Sequence, residues 1–77
     1  TIGAGTITCN HNGTDINRTI IGKGAYIGSG CNLVAPLIIN HGSTIGAGST
    51  ITQDTPSNLL TLARSKQIVV KNWKRPK

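Results

Sequence analysis

Few of the 77 residues carry side chains that do chemistry, and they fall in three places. Cys9, Asn10 and His11 stand together ahead of a polar stretch, Cys31 and His41 stand alone, and Arg64 opens a basic run with Lys66, Lys71, Lys74, Arg75 and Lys77. Imidazole is the side chain suited to proton exchange near neutral pH, which makes His11 a tempting base, although a loop histidine more often serves only as a solvated surface group. The spacing of Cys9 and Cys31 fits neither a zinc ribbon nor a redox Cys-x-x-Cys pair, so two free thiols in a reducing cytoplasm are expected and no metal site is indicated. The basic run supplies six of the eight Lys and Arg residues behind a net charge of +6. Such a tail suits polyanions or simply solubilises an end. Without aromatic residues interleaved beyond Trp73, nucleic-acid binding is not expected.

Something must position these groups, and a conventional core is not available. The chain is 36% hydrophobic and 3% aromatic, with no Phe and ten Gly. A single small domain of this composition points to a narrow solenoid. No signal peptide is recognisable and no apolar run approaches the roughly 18 residues of a membrane span, so a cytoplasmic protein is expected. The chain starts at Thr1 rather than Met and reads as a piece of something longer.

Periodicity carries the fold. Ile21, Ile27, Leu33, Ile39, Ile45 and Ile51 recur at every sixth position. Gly24, Gly30, Pro36, Gly42, Gly48 and Asp54 follow each by three, the residue types that bend a chain. Ala25, Cys31, Leu37, Ser43, Ser49 and Thr55 follow by four and are mostly small, as an interior corner requires. Short extended edges that bend once in every hexad must wind around a common axis.

The hexad of an aliphatic residue, Gly and four more resembles the repeat of the hexapeptide acyltransferases. That resemblance implies an all-β fold, a left-handed parallel β-helix with three hexads in each coil. About three coils are expected over residues 1–56, with an inserted loop at 11–17. Residues 57–77 would form a basic C-terminal tail that packs on the helix or on a neighbouring subunit through Leu59, Leu60, Leu62, Ile68, Val69 and Trp73. The handedness comes from the resemblance, since the general preference is for right-handed crossovers. On a coil of three hexads, "IGSG" at 27–30 lies directly under "IGAG" at 45–48. The first "IGAG", at 2–5, precedes "IGSG" by one coil and seven further positions. The polar stretch "HNGTDIN" at 11–17, with its Asn12-Gly13 turn pair, supplies those seven and places Ala4, Ser29 and Ala47 in one outward column. A single-position bulge would instead align the first "IGAG" with "IGKG" at 21–24, leaving polar residues inside regular coils.

Longer stretches narrow the resemblance. "IGAGTITCNHNG", "TIIGKGAYIGSGCNLVAP", "STIGAGSTIT" and the ending "LARSKQIVVKNWKRPK" together resemble the C-terminal part of the bacterial bifunctional UDP-N-acetylglucosamine pyrophosphorylase / glucosamine-1-phosphate N-acetyltransferase family. The resemblance implies acetyl-CoA as cosubstrate and glucosamine 1-phosphate as acceptor, in the synthesis of the cell-wall precursor UDP-N-acetylglucosamine. Ala4, Ser29 and Ala47 fall on positions that line the coenzyme arm. Arg64 falls on a tail arginine that contacts the coenzyme, where a fixed positive charge suits its phosphates. Asn10 falls on an active-site asparagine able to support the reacting group, and His11 on the coenzyme-binding position beside it.

The departures bear on the acceptor. His11 stands where the family usually has Tyr, and Thr1 where it usually has an Asn that helps hold the sugar phosphate. In the loop, where the family commonly has Lys, "GTDINRT" leaves Arg18 as the nearest cation. The family's base is a histidine on an earlier coil, ahead of Thr1. Related enzymes are homotrimers with active sites between subunits. Three alternatives remain: a non-catalytic β-helix cap, a hexapeptide acyltransferase with a different acceptor, and an ice-binding solenoid. The last is disfavoured because Leu33-Val34 interrupts any threonine face.

Overall fold

A computed structural model describes residues 1–11 and 13–76. Asn12, half of the expected turn pair, and the terminal Lys77 lie outside the described residues. Among the described residues, eight short strands run in chain order: β1 (Ile7–Cys9), β2 (Thr19–Ile21), β3 (Tyr26–Ile27), β4 (Asn32–Val34), β5 (Leu37–Ile39), β6 (Thr44–Ile45), β7 (Thr50–Ile51) and β8 (Leu60–Thr61). The described residues contain no helix. In β2, β3, β5 and β6 the strand is short because β-branched Ile and Thr extend the backbone and a glycine within the next few residues turns it. Gly24, Gly30, Gly42 and Gly48 all have positive φ, between 67° and 76°, where a Cβ is disfavoured.

The strands form three parallel sheets, β1-β4-β7, β2-β5 and β3-β6-β8, which the chain visits in rotation. Thr19 pairs with Leu37, Ile27 with Ile45 and Leu33 with Ile51, each exactly three hexads further along the chain. The first layer differs, as the polar insertion requires. Thr8 pairs with Leu33 and Ile2 with Ile27, each three hexads and seven further positions along. The extra segment leaves the stack after Cys9, where His11 bridges Ile16 in antiparallel fashion and the Asn17 amide donates to the Asn10 carbonyl. The single-position bulge is thereby ruled out.

The repeated aliphatic phase forms the core. Ile27, Leu33, Ile39, Ile45 and Ile51 are all at most 2% exposed, and Ile21 packs against them half-buried. The small corner phase is buried as well, from Ala25 to Thr55. From Cys31 onward several of its polar atoms find partners, as most buried polar atoms do, whereas Thr19 Oγ1, one hexad before Ala25, has none. Ser43 Oγ lies 3.0 Å from Thr55 Oγ1, and Cys31 Sγ donates to the Gly46 carbonyl at 3.3 Å. Both cysteines are free.

Glycine directly after the aliphatic residue has a separate cause. A Cβ on Gly28 would stand 2.5 Å from the Ala47 nitrogen and 2.7 Å from its Cα, so the backbone of the next layer already fills that space. Gly22 meets the His41 nitrogen in the same way, at 2.6 Å. Two glycines in one hexad thus answer two constraints, close approach at the first and backbone conformation at the second.

Beyond β7 the regular interval shortens. Thr55 bridges Ile39 and Leu60 of β8 pairs with Thr44, each two positions short of a full coil. The Asp54 carboxylate accepts the Ile38 amide at 2.8 Å, and Asn40 Nδ2 donates to the Thr55 carbonyl at 2.7 Å. The segment at 57–63 therefore lays a partial fourth layer on the third. At the opposite end, Ile2, β1 and β2 bond to one neighbouring layer only. Ile2 and Thr8 are consequently exposed.

Candidate functional site

The turn glycines bring the small residues into line. The Gly30 amide donates to the Ala4 carbonyl and the Gly48 amide to the Ser29 carbonyl, both at 2.9 Å, so Ala4, Ser29 and Ala47 occupy the same position in three successive layers. All three are exposed. Side chains at that position are short, which keeps the turn edge low.

The tail reaches this edge. After β8, the Ala63 carbonyl accepts the Thr50 amide at 2.9 Å, and Arg64 Nη1 donates to the Ala47 carbonyl at 2.7 Å. A guanidinium has five N–H donors, and this bond uses one at a residue that is exposed overall. Beside it opens a cleft of about 460 Å³ lined by Gly48, Thr50, Ala63, Arg64 and Ser65. A fixed cation beside a row of small side chains suits a phosphorylated, extended ligand.

Asn10 and His11 occupy a different position. They follow β1 whereas Ala4 precedes it, so the width of one sheet separates them from the column. Both are exposed. The Gly13 amide donates to His11 Nδ1 at 2.9 Å, which leaves Nε2 to carry the proton in the neutral ring. Thr1 lies in the first layer on the β3 side, its carbonyl accepting the Ile27 amide at 2.8 Å. His41 is exposed, with Nδ1 3.3 Å from Ser57 Oγ. Within one chain, then, Ala47 and Arg64 come together, Ala4 and Ser29 share their edge, and Asn10, His11 and Thr1 stand elsewhere. Sequence reasoning did not single out Thr50, Ala63 and Ser65. The only signal for them was adjacency to "IGAG" and to Arg64.

A family model described as bacterial transferase hexapeptide (six repeats) matches residues 18–53, the span of the regular layers. Residues 18–53 therefore carry the repeat of the bacterial transferase hexapeptide family. Among curated relatives, the chain is 60% identical over 76 residues to the bifunctional protein GlmU of Nitrosomonas eutropha, covering 99% of this chain and 17% of that protein. The GlmU of Methylococcus capsulatus is 59% identical over 75 residues, covering 97% of this chain and 16% of the relative. That of Xanthomonas campestris is 55% identical over 76 residues, at 99% and 17%. The chain thus spans about a sixth of the length of these relatives, and it is similar to the C-terminal part of their acetyltransferase domain.

Proposed function

We propose that this chain forms part of the acetyl-CoA groove of an acetyltransferase that acts on glucosamine 1-phosphate in UDP-N-acetylglucosamine synthesis. The observation that carries this reading is the Arg64 guanidinium seated on the Ala47 carbonyl beside the cleft. The GlmU likeness along almost the whole chain supports it. Rotation through three parallel sheets, one coil for every three hexads, supports a left-handed parallel β-helix as the scaffold.

In this reading the coenzyme arm lies along Ala4, Ser29 and Ala47, and Arg64 neutralises phosphate charge at one end. The acceptor amine attacks the thioester carbonyl, and the tetrahedral intermediate collapses to the amide as the CoA thiolate leaves. A base takes the amine proton, and hydrogen-bond donors stabilise the oxyanion. Asn10 supplies an amide for such support, and His11 contacts the coenzyme from the neighbouring position. Thr1 lies toward the acceptor. Since β1 separates Asn10 from Arg64 within one chain, a homotrimer with sites between subunits unites the two groups. Among the described residues no helix is long and apolar enough to cross a membrane, and no group of His, Cys, Asp or Glu could hold a metal ion. We place the enzyme in the cytoplasm, with small molecules as its substrates.

Calorimetric titration of the chain with acetyl-CoA tests the reading, with desulfo-CoA and Arg64→Ala as comparisons. Saturable binding that Arg64→Ala weakens supports it. A folded chain that binds neither nucleotide overturns it in favour of a structural cap.

A further inference from the structure

Ser49 stands at the small corner phase, where sequence alone assigns it only a packing role. Its side chain is fully buried. At the same phase, Ser43 Oγ pairs with Thr55 Oγ1 inside the core, and Cys31 Sγ bonds a carbonyl of the next layer. Ser49 Oγ instead accepts the amide of Ala63 at 3.2 Å, a residue of the tail. The Thr50 amide donates to the carbonyl of that same Ala63 at 2.9 Å. Both backbone polar groups of Ala63 are therefore held by adjacent residues of one layer, and the next tail residue is Arg64, bonded to Ala47. Three hydrogen bonds tie residues 47–50 to residues 63–64, and of these three only the one to Ser49 uses a side-chain acceptor.

We propose that Ser49 is a positioning residue for Arg64. It acts through Ala63, holding the tail in the register that places the guanidinium over the Ala47 carbonyl. Its effect on ligand binding rests on the coenzyme reading above, whereas its effect on the tail does not. Removing the hydroxyl leaves the Ala63 amide without its acceptor. The clamp on Ala63 is then halved, and Arg64 spends less time at the cleft.

The test compares the chain with Ser49→Ala, Ser49→Cys, Arg64→Ala and the Ser49→Ala/Arg64→Ala double variant. Amide hydrogen exchange is followed by NMR and acetyl-CoA binding by calorimetry. In Ser49→Ala, exchange at Ala63 is expected to rise about tenfold, the loss of one hydrogen bond, while Gly22 and Gly28 keep their wild-type rates. The dissociation constant should rise about five- to tenfold by the same bond energy, with an intermediate rise for Ser49→Cys. The double variant should bind no more weakly than Arg64→Ala alone. Unchanged exchange at Ala63 overturns the proposal, as does an equal further loss of affinity in the Arg64→Ala background. Should Ser49→Ala fail to fold, Ser49→Cys decides on the same readouts. If no variant binds coenzyme, the functional reading fails, and exchange at Ala63 still decides the positioning role.

Discussion

Arg64 and Ala47, far apart in sequence, are joined by a 2.7 Å bond from guanidinium to backbone carbonyl. The bond joins two parts of the chain with different rules, a periodic stack and an aperiodic tail. It engages one guanidinium nitrogen and leaves the side chain exposed at the mouth of the cleft. Removing the side chain therefore tests ligand binding with little effect on folding. Arg64→Ala is expected to weaken acetyl-CoA binding about tenfold or more, the scale of a charge-assisted hydrogen bond. Unfolding monitored by circular dichroism should be nearly unchanged. Arg64→Lys should recover only part of the affinity, because an ammonium lacks the planar fork. Equal affinity in all three chains would contradict this assignment.

The two glycine phases predict different costs. Gly28→Ala drives a Cβ into the Ala47 backbone and is expected to destabilise the chain by about 3 kcal/mol, the upper range for overpacking. Gly30 has φ of 71° and nothing within 4 Å of its Cβ position. Gly30→Ala should cost only about 1–2 kcal/mol, from backbone strain alone. Denaturant unfolding of the two variants gives the order directly, and the reverse order would refute the close-approach explanation.

The first layer predicts an unusual tolerance. Deleting residues 11–17 converts the lengthened interval between Thr8 and Leu33 to the regular coil of the other layers. Loop-closure entropy changes little over such lengths, so stability should stay within about 1 kcal/mol. Deleting one residue fewer instead leaves a single-position slip and turns core side chains outward. Circular dichroism and thermal unfolding should show a native-like transition for the first deletion and a lost or broadened one for the second.

The buried hydroxyl pair predicts non-additivity. Ser43 Oγ and Thr55 Oγ1 satisfy each other 3.0 Å apart at almost fully buried residues. Thr55→Val strands the serine hydroxyl and should cost about 1–3 kcal/mol. Adding Ser43→Ala removes the stranded group, so the double variant should be less destabilised than the sum of the singles. A double-mutant cycle by urea unfolding measures that coupling, and strict additivity would show that the pair contributes nothing.

The repeat was legible because it is local. Ile27 through Ile51 keep one phase, and the glycines around them report constraints that act within a short stretch of chain. Even the register of the first layer could be reasoned out, since the polar excursion at 11–17 has turn chemistry and a single-position bulge would leave those polar residues inside regular coils. The small corner residues were legible as a class. Their individual partners were not, because a serine at that phase can bond inward, as Ser43 does, or outward, as Ser49 does.

By itself, then, the sequence determined the hexad period, the aliphatic core and the positions where the chain must bend, all consequences of side-chain size and backbone freedom at fixed spacing. Only the tertiary structure decided where the aperiodic tail returns, that β8 closes on β6 just short of a full coil, and that Arg64 finds Ala47. The physical reason is that the tail lacks a repeat. Its path is set by which backbone amides and carbonyls the last full layer leaves unpaired, and those exist as a surface only once the layers beneath have formed.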